Sequence, residues 1–227
     1  MNTDSLIEKL VQSRKPVRPL PPPWIRTAVW LAIAAPYVAF VVLLMSPRPD
    51  LLAELRDPQF LIEQVAALVT GITAAIASLA TTIPGFSRRI ALLPVLPLAV
   101  WLGSLGQGCV SDWIKYGPDG FSLQTDWMCL PAIVLVGGVP AIIIAAMLRR
   151  GAPLTPHLST ALGGLAAAGL GNFGLRFFHS QDASLMVLFW QFGTVFVLTV
   201  TAAWVGDYLL NWRALLARAR NQHPASS

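Results

Sequence analysis

Apolar residues fall along this chain in long unbroken runs, separated by short breaks rich in proline, glycine and charge. They do not alternate with polar residues at the period of two that a porin-like strand needs; residues 133–148, for example, read IVLVGGVPAIIIAAML. A bilayer-spanning helix takes roughly 20 apolar residues. Six windows meet or approach that length: 27–45, 60–83, 90–106, 130–148, 158–176 and 184–208. The pattern predicts an all-α fold, a polytopic membrane bundle of six transmembrane helices. The third window carries Pro94 and Pro97 near its start, and a missing backbone N–H is best tolerated in the first turn of a helix. The first window is too long, and begins too far into the chain, for a cleavable leader, so it is expected to stay as an anchor.

Ahead of that window lies a different pattern. Leu6, Ile7, Leu10 and Val11 share one face of a predicted short helix over 4–13, opposite Glu8, Lys9 and Gln12. Ser5 and Glu8 have the spacing of a capping box. A helix of about ten residues is marginal in water, so this one needs a surface to fold against. Pro16, Pro19, Pro21, Pro22 and Pro23 then form an extended, semi-rigid spacer. Two surfaces suit the apolar face. One is a groove on a partner protein; the other is the inner leaflet, with Lys9, Arg14, Lys15 and Arg18 meeting its headgroups. Leu6, Ile7, Leu10 and Val11 are the candidate partner-binding residues.

Composition sharpens the membrane reading and limits the function. The chain has 227 residues, 55% hydrophobic and 12% charged, with a mean hydropathy of +0.63. Six spans leave about 100 residues for all loops and tails, too few for a conventional soluble catalytic domain. The net charge of +5 is distributed unevenly. Twelve of the 16 Lys and Arg fall on one side of the predicted membrane: Lys9, Arg14, Lys15, Arg18, Arg26, Arg88, Arg89, Arg149, Arg150, Arg213, Arg218 and Arg220. Only Arg48, Arg56, Lys115 and Arg176 fall on the other, with seven acidic residues for company. Because basic residues resist translocation, both termini of a multi-pass membrane protein are predicted to be cytoplasmic. The chain divides into a 1–26 helix and spacer, a 27–208 transmembrane domain and a 209–227 basic tail. Positive charge placed this way fixes topology and meets anionic headgroups, and does not call for direct nucleic-acid binding.

The spans themselves offer little chemistry. Glu63, Asp207 and Arg176 sit near span ends, where interfacial charges are expected. Thr70, Thr73, Ser78, Thr81, Thr194, Thr199 and Thr201 read as packing hydroxyls, and Gly163, Ala167 and Gly171 as a face for close helix approach. Gly137, Gly138 and Pro140 mark a candidate kink. Tryptophans including Trp24, Trp30, Trp101 and Trp204 are expected in an interfacial belt. No nucleotide-binding, metalloprotease or triad motif is present, and His157, His179 and His223 are scattered. The sequence points to no enzyme, no cofactor, no metal and no small-molecule substrate. A small transporter or channel subunit, or a structural subunit using the fifth span as its interface, are the alternative readings.

Cys109 and Cys129 are the only cysteines, and both flank the predicted outer loop between the third and fourth spans. In an oxidising compartment a bridge between them would close a loop of about 20 residues, worth near 3 kcal/mol in the chain-entropy model. A structural staple, two unrelated thiols, or a redox- or metal-responsive pair all fit that placement.

The opening DSLIEKLVQSRKPVRPLPPPWIRTAVWL, the stretch MLRRGAPLTPHLSTALGGLAAAGLG and the six-span length resemble the NrsF family of negative regulators of sigma factor F. The most specific parts are the short helix running into its proline spacer and the turn at 148–154. The resemblance implies an anti-sigma factor that sequesters an extracytoplasmic-function sigma factor at the inner membrane and releases it under stress, through periplasmic cysteines. Together with the stalked helix and the cytoplasmic orientation, it leads to the expectation that Leu6, Ile7, Leu10 and Val11 bury against the sigma factor, with oxidation or metal capture at Cys109 and Cys129 as the trigger. The family pattern places a cysteine after the histidine beyond the fifth span; here those residues are His179 and Ser180, so only Cys129 fits it, with Cys109 as a substitute partner.

Overall fold

Three of the long helices begin on a proline, Pro23, Pro58 and Pro156. The position suits a residue with no N–H, because the first-turn donors have no intrahelical acceptor anyway. The computed structural model describes residues 3–12, 20–117, 129–151 and 155–178, together with positions 193, 197, 200, 201 and 204. In chain order the elements are α1 (Thr3–Gln12), α2 (Pro23–Leu44), the single turn α3 (Leu51–Glu54), α4 (Pro58–Ala80), a 3-10 turn (Arg88–Leu92), α5 (Val95–Tyr116), α6 (Cys129–Arg149) and α7 (Pro156–Leu175). Every described element is helical, as the sequence predicts.

Among the described residues, four stretches are long and apolar enough to cross a membrane: Pro23–Leu44, Pro58–Ala80, Arg89–Gln107 and Pro156–Leu175. Val134–Arg149 of α6 is a fifth, shorter apolar helix. The sixth predicted window, 184–208, lies outside the described residues except for five helical positions, and the 209–227 tail lies wholly outside them. The third window resolves into the 3-10 turn followed by α5, with Pro97 in the first turn of that helix. At its far end α5 continues to Tyr116, so Cys109 and the residues after it are helical where the sequence suggested a loop.

The helices run alternately up and down, and α7 packs against both α4 and α6. Trp30, Ala34, Val38 and Val41 of α2 meet Ala74, Ala75 and Leu79 of α4, Val136, Ile144 and Leu148 of α6, and Ala166 and Leu170 of α7 in the main core. Ala66, Ala67, Trp101 and Leu105 form a smaller cluster between α4 and α5. Backbones approach most closely between α4 and α7. A Cβ on Gly169 would lie 2.8 Å from both the Ala67 carbonyl oxygen and the Gly71 nitrogen.

The small-residue face of the fifth window is used inside the chain. A Cβ on Gly171 would lie 3.1 Å from the Gly137 Cα, and one on Gly163 would lie 3.3 Å from both Leu148 Cδ1 and Ser78 Oγ. A structural-subunit reading that relied on this face for an external partner loses it to α6 and α4. The hydroxyls act as packing groups, mostly within their own helix: Thr70 donates to the Ala66 carbonyl at 2.7 Å, while Ser78 reaches across to the Ser159 carbonyl at 2.6 Å.

Two tryptophans depart from the interfacial belt. Trp30 is 0% exposed and donates its indole N–H to the Pro140 carbonyl at 3.0 Å, and Trp101 is buried against α4. Helical periodicity explains the first, since Trp30, Ala34 and Val38 fall on one stripe, and the indole N–H finds its acceptor inside. Trp24 and Trp204 are exposed, as a belt requires. Tyr37 likewise donates to the Leu135 carbonyl at 2.7 Å, so α2 grips α6 on both sides of Gly137 and Gly138.

Candidate functional site

The arm α1 enters the bundle through α2, and the first turn of α2 is fastened by Arg26. This side chain was expected to face lipid headgroups as a topology charge; it is buried instead. Its guanidinium donates to the Thr82 hydroxyl at 2.7 Å, the Met147 carbonyl at 2.8 Å and the Leu79 carbonyl at 3.4 Å. Leu79 and Met147 belong to the last turns of α4 and α6, where carbonyls lack intrahelical donors and the helix dipole is negative. Arg26 thus joins three helix ends at the start of α2, the helix that follows the arm in the chain. The signal was in the sequence, since positions 26, 30, 34 and 38 lie on one helical stripe.

Gly151, in the stretch 148–154 that is one of the most specific parts of the family resemblance, packs against the same junction. A Cβ on Gly151 would lie 2.5 Å from the Thr82 Cβ, so only glycine lets the chain pass the residue that accepts from Arg26.

α1 covers Thr3–Gln12, one residue ahead of the predicted helix. Ser5 therefore sits inside the first turn and not at the N-cap, and the capping box is not what starts the helix. All four candidate partner-binding residues, Leu6, Ile7, Leu10 and Val11, lie on α1; Ile7 is 53% and Val11 54% exposed.

At the opposite end, Glu63 of α4 and Arg176 after α7 form an ion pair at 3.2 Å with side chains 8% and 12% exposed. Gln59 donates to Glu63 at 3.4 Å, and the Arg176 guanidinium lies 5.4 Å above the Phe60 ring. The expectation of two separate interfacial charges gives way to a buried pair, because Glu63 shares the buried stripe of Ala67, Thr70 and Ala74. Beside it the Arg48 backbone N–H donates to the Phe177 carbonyl at 2.9 Å. The Arg48 side chain is buried and grips both Asp50 oxygens at 2.6 Å. That hydrogen-bonded guanidinium holds the Asp50 carboxyl below the usual carboxylate range.

α4 and α7 are therefore tied at both ends, by Glu63 with Arg176 and by Ser78 with Ser159, and touch at Gly71 and Gly169 between them. Nearby, Gln64 Oε1 and Asn172 Oδ1 are buried without a hydrogen-bond partner among the described residues.

Cys109 lies in the last third of α5, and Cys129 is the first residue of α6. Their side chains, and residues 118–128 between the two helices, lie outside what the structure describes, as do His179 and Ser180.

No curated protein and no solved structure matches the chain. The family model described as negative regulator of sigma F matches residues 10–212, which takes in Leu10 and Val11 of the arm, the Arg26 junction, the Gly151 turn and both cysteines. The chain belongs to the NrsF family and is a negative regulator of a sigma factor.

Proposed function

We propose that the chain is a membrane-bound anti-sigma factor that holds an extracytoplasmic-function sigma factor through α1 and releases it when stress reaches the far side of the membrane. The observation that carries this reading is the arm: a short amphipathic helix with Ile7 and Val11 exposed, on a member of a family of sigma-factor regulators. Leu6, Ile7, Leu10 and Val11 bury against the sigma factor and cover a surface it needs for RNA polymerase. Six spans with both termini in the cytoplasm of a bacterial inner membrane put the arm where the sigma factor is. The Lys and Arg asymmetry supports that orientation. So does the meeting of the α2 start with the α4 and α6 ends around Arg26.

Cys109 and Cys129 are the sensing pair on the outer side, responding to an oxidant or a thiophilic metal. The route inward is the α4 and α7 pair. A shift at its outer end, where Glu63 meets Arg176, passes along two helices in backbone contact to Thr82, and so to Arg26 at the root of the arm. A change of about 2.7 kcal/mol in the contact between arm and sigma factor lowers its affinity ~100-fold.

The test is co-purification of the detergent-solubilised chain with its cellular partners, beside a chain lacking residues 1–15. The full chain is expected to bring down a sigma factor and the shortened one to lose it. Recovery of no sigma factor by either chain removes the reading. A periplasmic amino terminus, read from reporter fusions, would remove the mechanism.

A further inference from the structure

The end of the bundle that roots the arm also holds a largely apolar cavity of about 270 Å³. It opens between the end of α4, the 3-10 turn and the start of α7, with Ile83, Phe86, Ile90, Ala91 and Leu158 in its walls. An apolar cavity of ~150 Å³ takes a group the size of benzene, so this one has room for two branched aliphatic side chains. α1 offers such a pair. Ile7 and Val11 stand one turn apart on the same edge of the helix, and each is more than half exposed.

Charge and reach agree with that match. On the helical wheel Asp4 and Glu8 follow directly beside Val11, so carboxylates border the apolar edge. Arg89 is exposed on the 3-10 turn, next to Ile90 of the cavity wall, and supplies the opposite charge at the rim. The tether, residues 13–22, spans about 31 Å if extended at ~3.1 Å per residue. It begins at the cavity's own border, since Arg26 is bonded to Thr82, between Thr81, another wall residue, and Ile83.

We propose that this cavity is a dock for the Ile7 and Val11 edge of α1 in the same chain, in competition with the sigma factor for the arm. The competition rests on the reading of α1 as the sigma-binding element; the dock itself does not. A short tether gives an effective concentration in the millimolar range. A contact of about 0.1 mM intrinsic affinity would then hold the arm docked for about nine-tenths of the time and weaken sigma-factor binding about tenfold. The regulator thereby has a resting place for its arm, and the balance between the two sites sets how much sigma factor is held.

The test uses the full chain in lipid nanodiscs with a photoreactive residue in place of Val11, irradiated with no sigma factor present. Adducts mapped by mass spectrometry are expected on the segment 83–91 or on Leu158. They should disappear on Leu158→Glu, a change at an exposed side chain, and weaken on Arg89→Glu, with recovery when Asp4→Lys and Glu8→Lys are added. Adducts confined to lipid, or unaffected by Leu158→Glu, overturn the dock. In a separate binding measurement, Leu158→Glu should raise sigma-factor affinity about tenfold; unchanged affinity overturns the competition. Adducts as expected from a chain that binds no sigma factor would leave the dock standing and remove the function proposed above.

Discussion

The Arg26 guanidinium and the Thr82 hydroxyl meet at 2.7 Å across 56 residues of chain, fastening the first turn of α2 to the residues just after α4. Thr82→Val keeps the packing against Gly151 and removes the acceptor. It should cost about 1.5–3 kcal/mol, the range for a hydrogen bond to a charged group, read as a lower melting temperature in detergent. Arg26→Lys should lower stability as well, because the single nitrogen of an ammonium, although it carries three donors, cannot stand in both places from which the two guanidinium nitrogens reach their acceptors.

Glycine positions separate cleanly by what surrounds them. Gly169→Ala places a methyl 2.8 Å from backbone atoms of α4, with no flexible side chain to give way, and should destabilise by about 1–3 kcal/mol. Gly138→Ala meets nothing within 4 Å and should be neutral or stabilise by up to about 1 kcal/mol through the helical preference of alanine. Parallel thermal melts of the two variants check the contrast.

The pair Glu63 and Arg176 should behave as a buried ion pair. Arg176→Ala leaves Glu63 without its counter-ion and is expected to cost about 3–5 kcal/mol, whereas replacing both by Leu should recover most of the loss. A double-mutant cycle on melting or denaturant unfolding measures the coupling; additive losses would show that the two charges act separately.

Acid should loosen the turn between α2 and α4 through Asp50. Its carboxyl titrates below the usual range because of the Arg48 hydrogen bond. The folded value is therefore below the unfolded one, and the stabilisation is complete above the ordinary carboxylate range and lost as pH falls through the lowered value. Hydrogen exchange over residues 47–57 should accelerate in that acid window, and Asp50→Asn should exchange fast at every pH.

Arm and sensor should be separable. Ile7→Asp with Val11→Asp, both at exposed positions, should leave the helix bundle folded and weaken sigma-factor capture by at least ~100-fold. Cys109→Ser with Cys129→Ser should leave capture intact and abolish the response to oxidant or metal in cells carrying a sigma-dependent reporter.

Hydrophobic runs were enough to locate the long helices, because a span announces itself by length and by the absence of charge. What they could not distinguish was which face of each helix turns inward. Trp30 and Arg26 sit near a span end, where residues of their type usually meet headgroups, yet both lie on the inward stripe of α2 and find acceptors on α6 and α4. Glu63 and Arg176 form their pair across 113 residues, a distance over which no local pattern carries information. The Gly163, Ala167 and Gly171 spacing was legible as a packing face, but its partner helix was not. The closest approach, Gly71 to Gly169, joins two helices whose glycines show no shared spacing. α1 was legible because amphipathic periodicity is local, while its start shifted by a residue.

The central helix also has a consequence for how the protein is made. α7 is the least apolar of the four membrane-length stretches and the most enclosed by its neighbours. In a bilayer, lipid alone would therefore hold it weakly, and its retention during synthesis would depend on finding α4 already in place. Lesions at Gly71 or Gly169 would then surface first as chains rejected during insertion and cleared by proteases, so that cells lose the regulator itself and their sigma factor runs unchecked, a phenotype of absence instead of a faulty sensor.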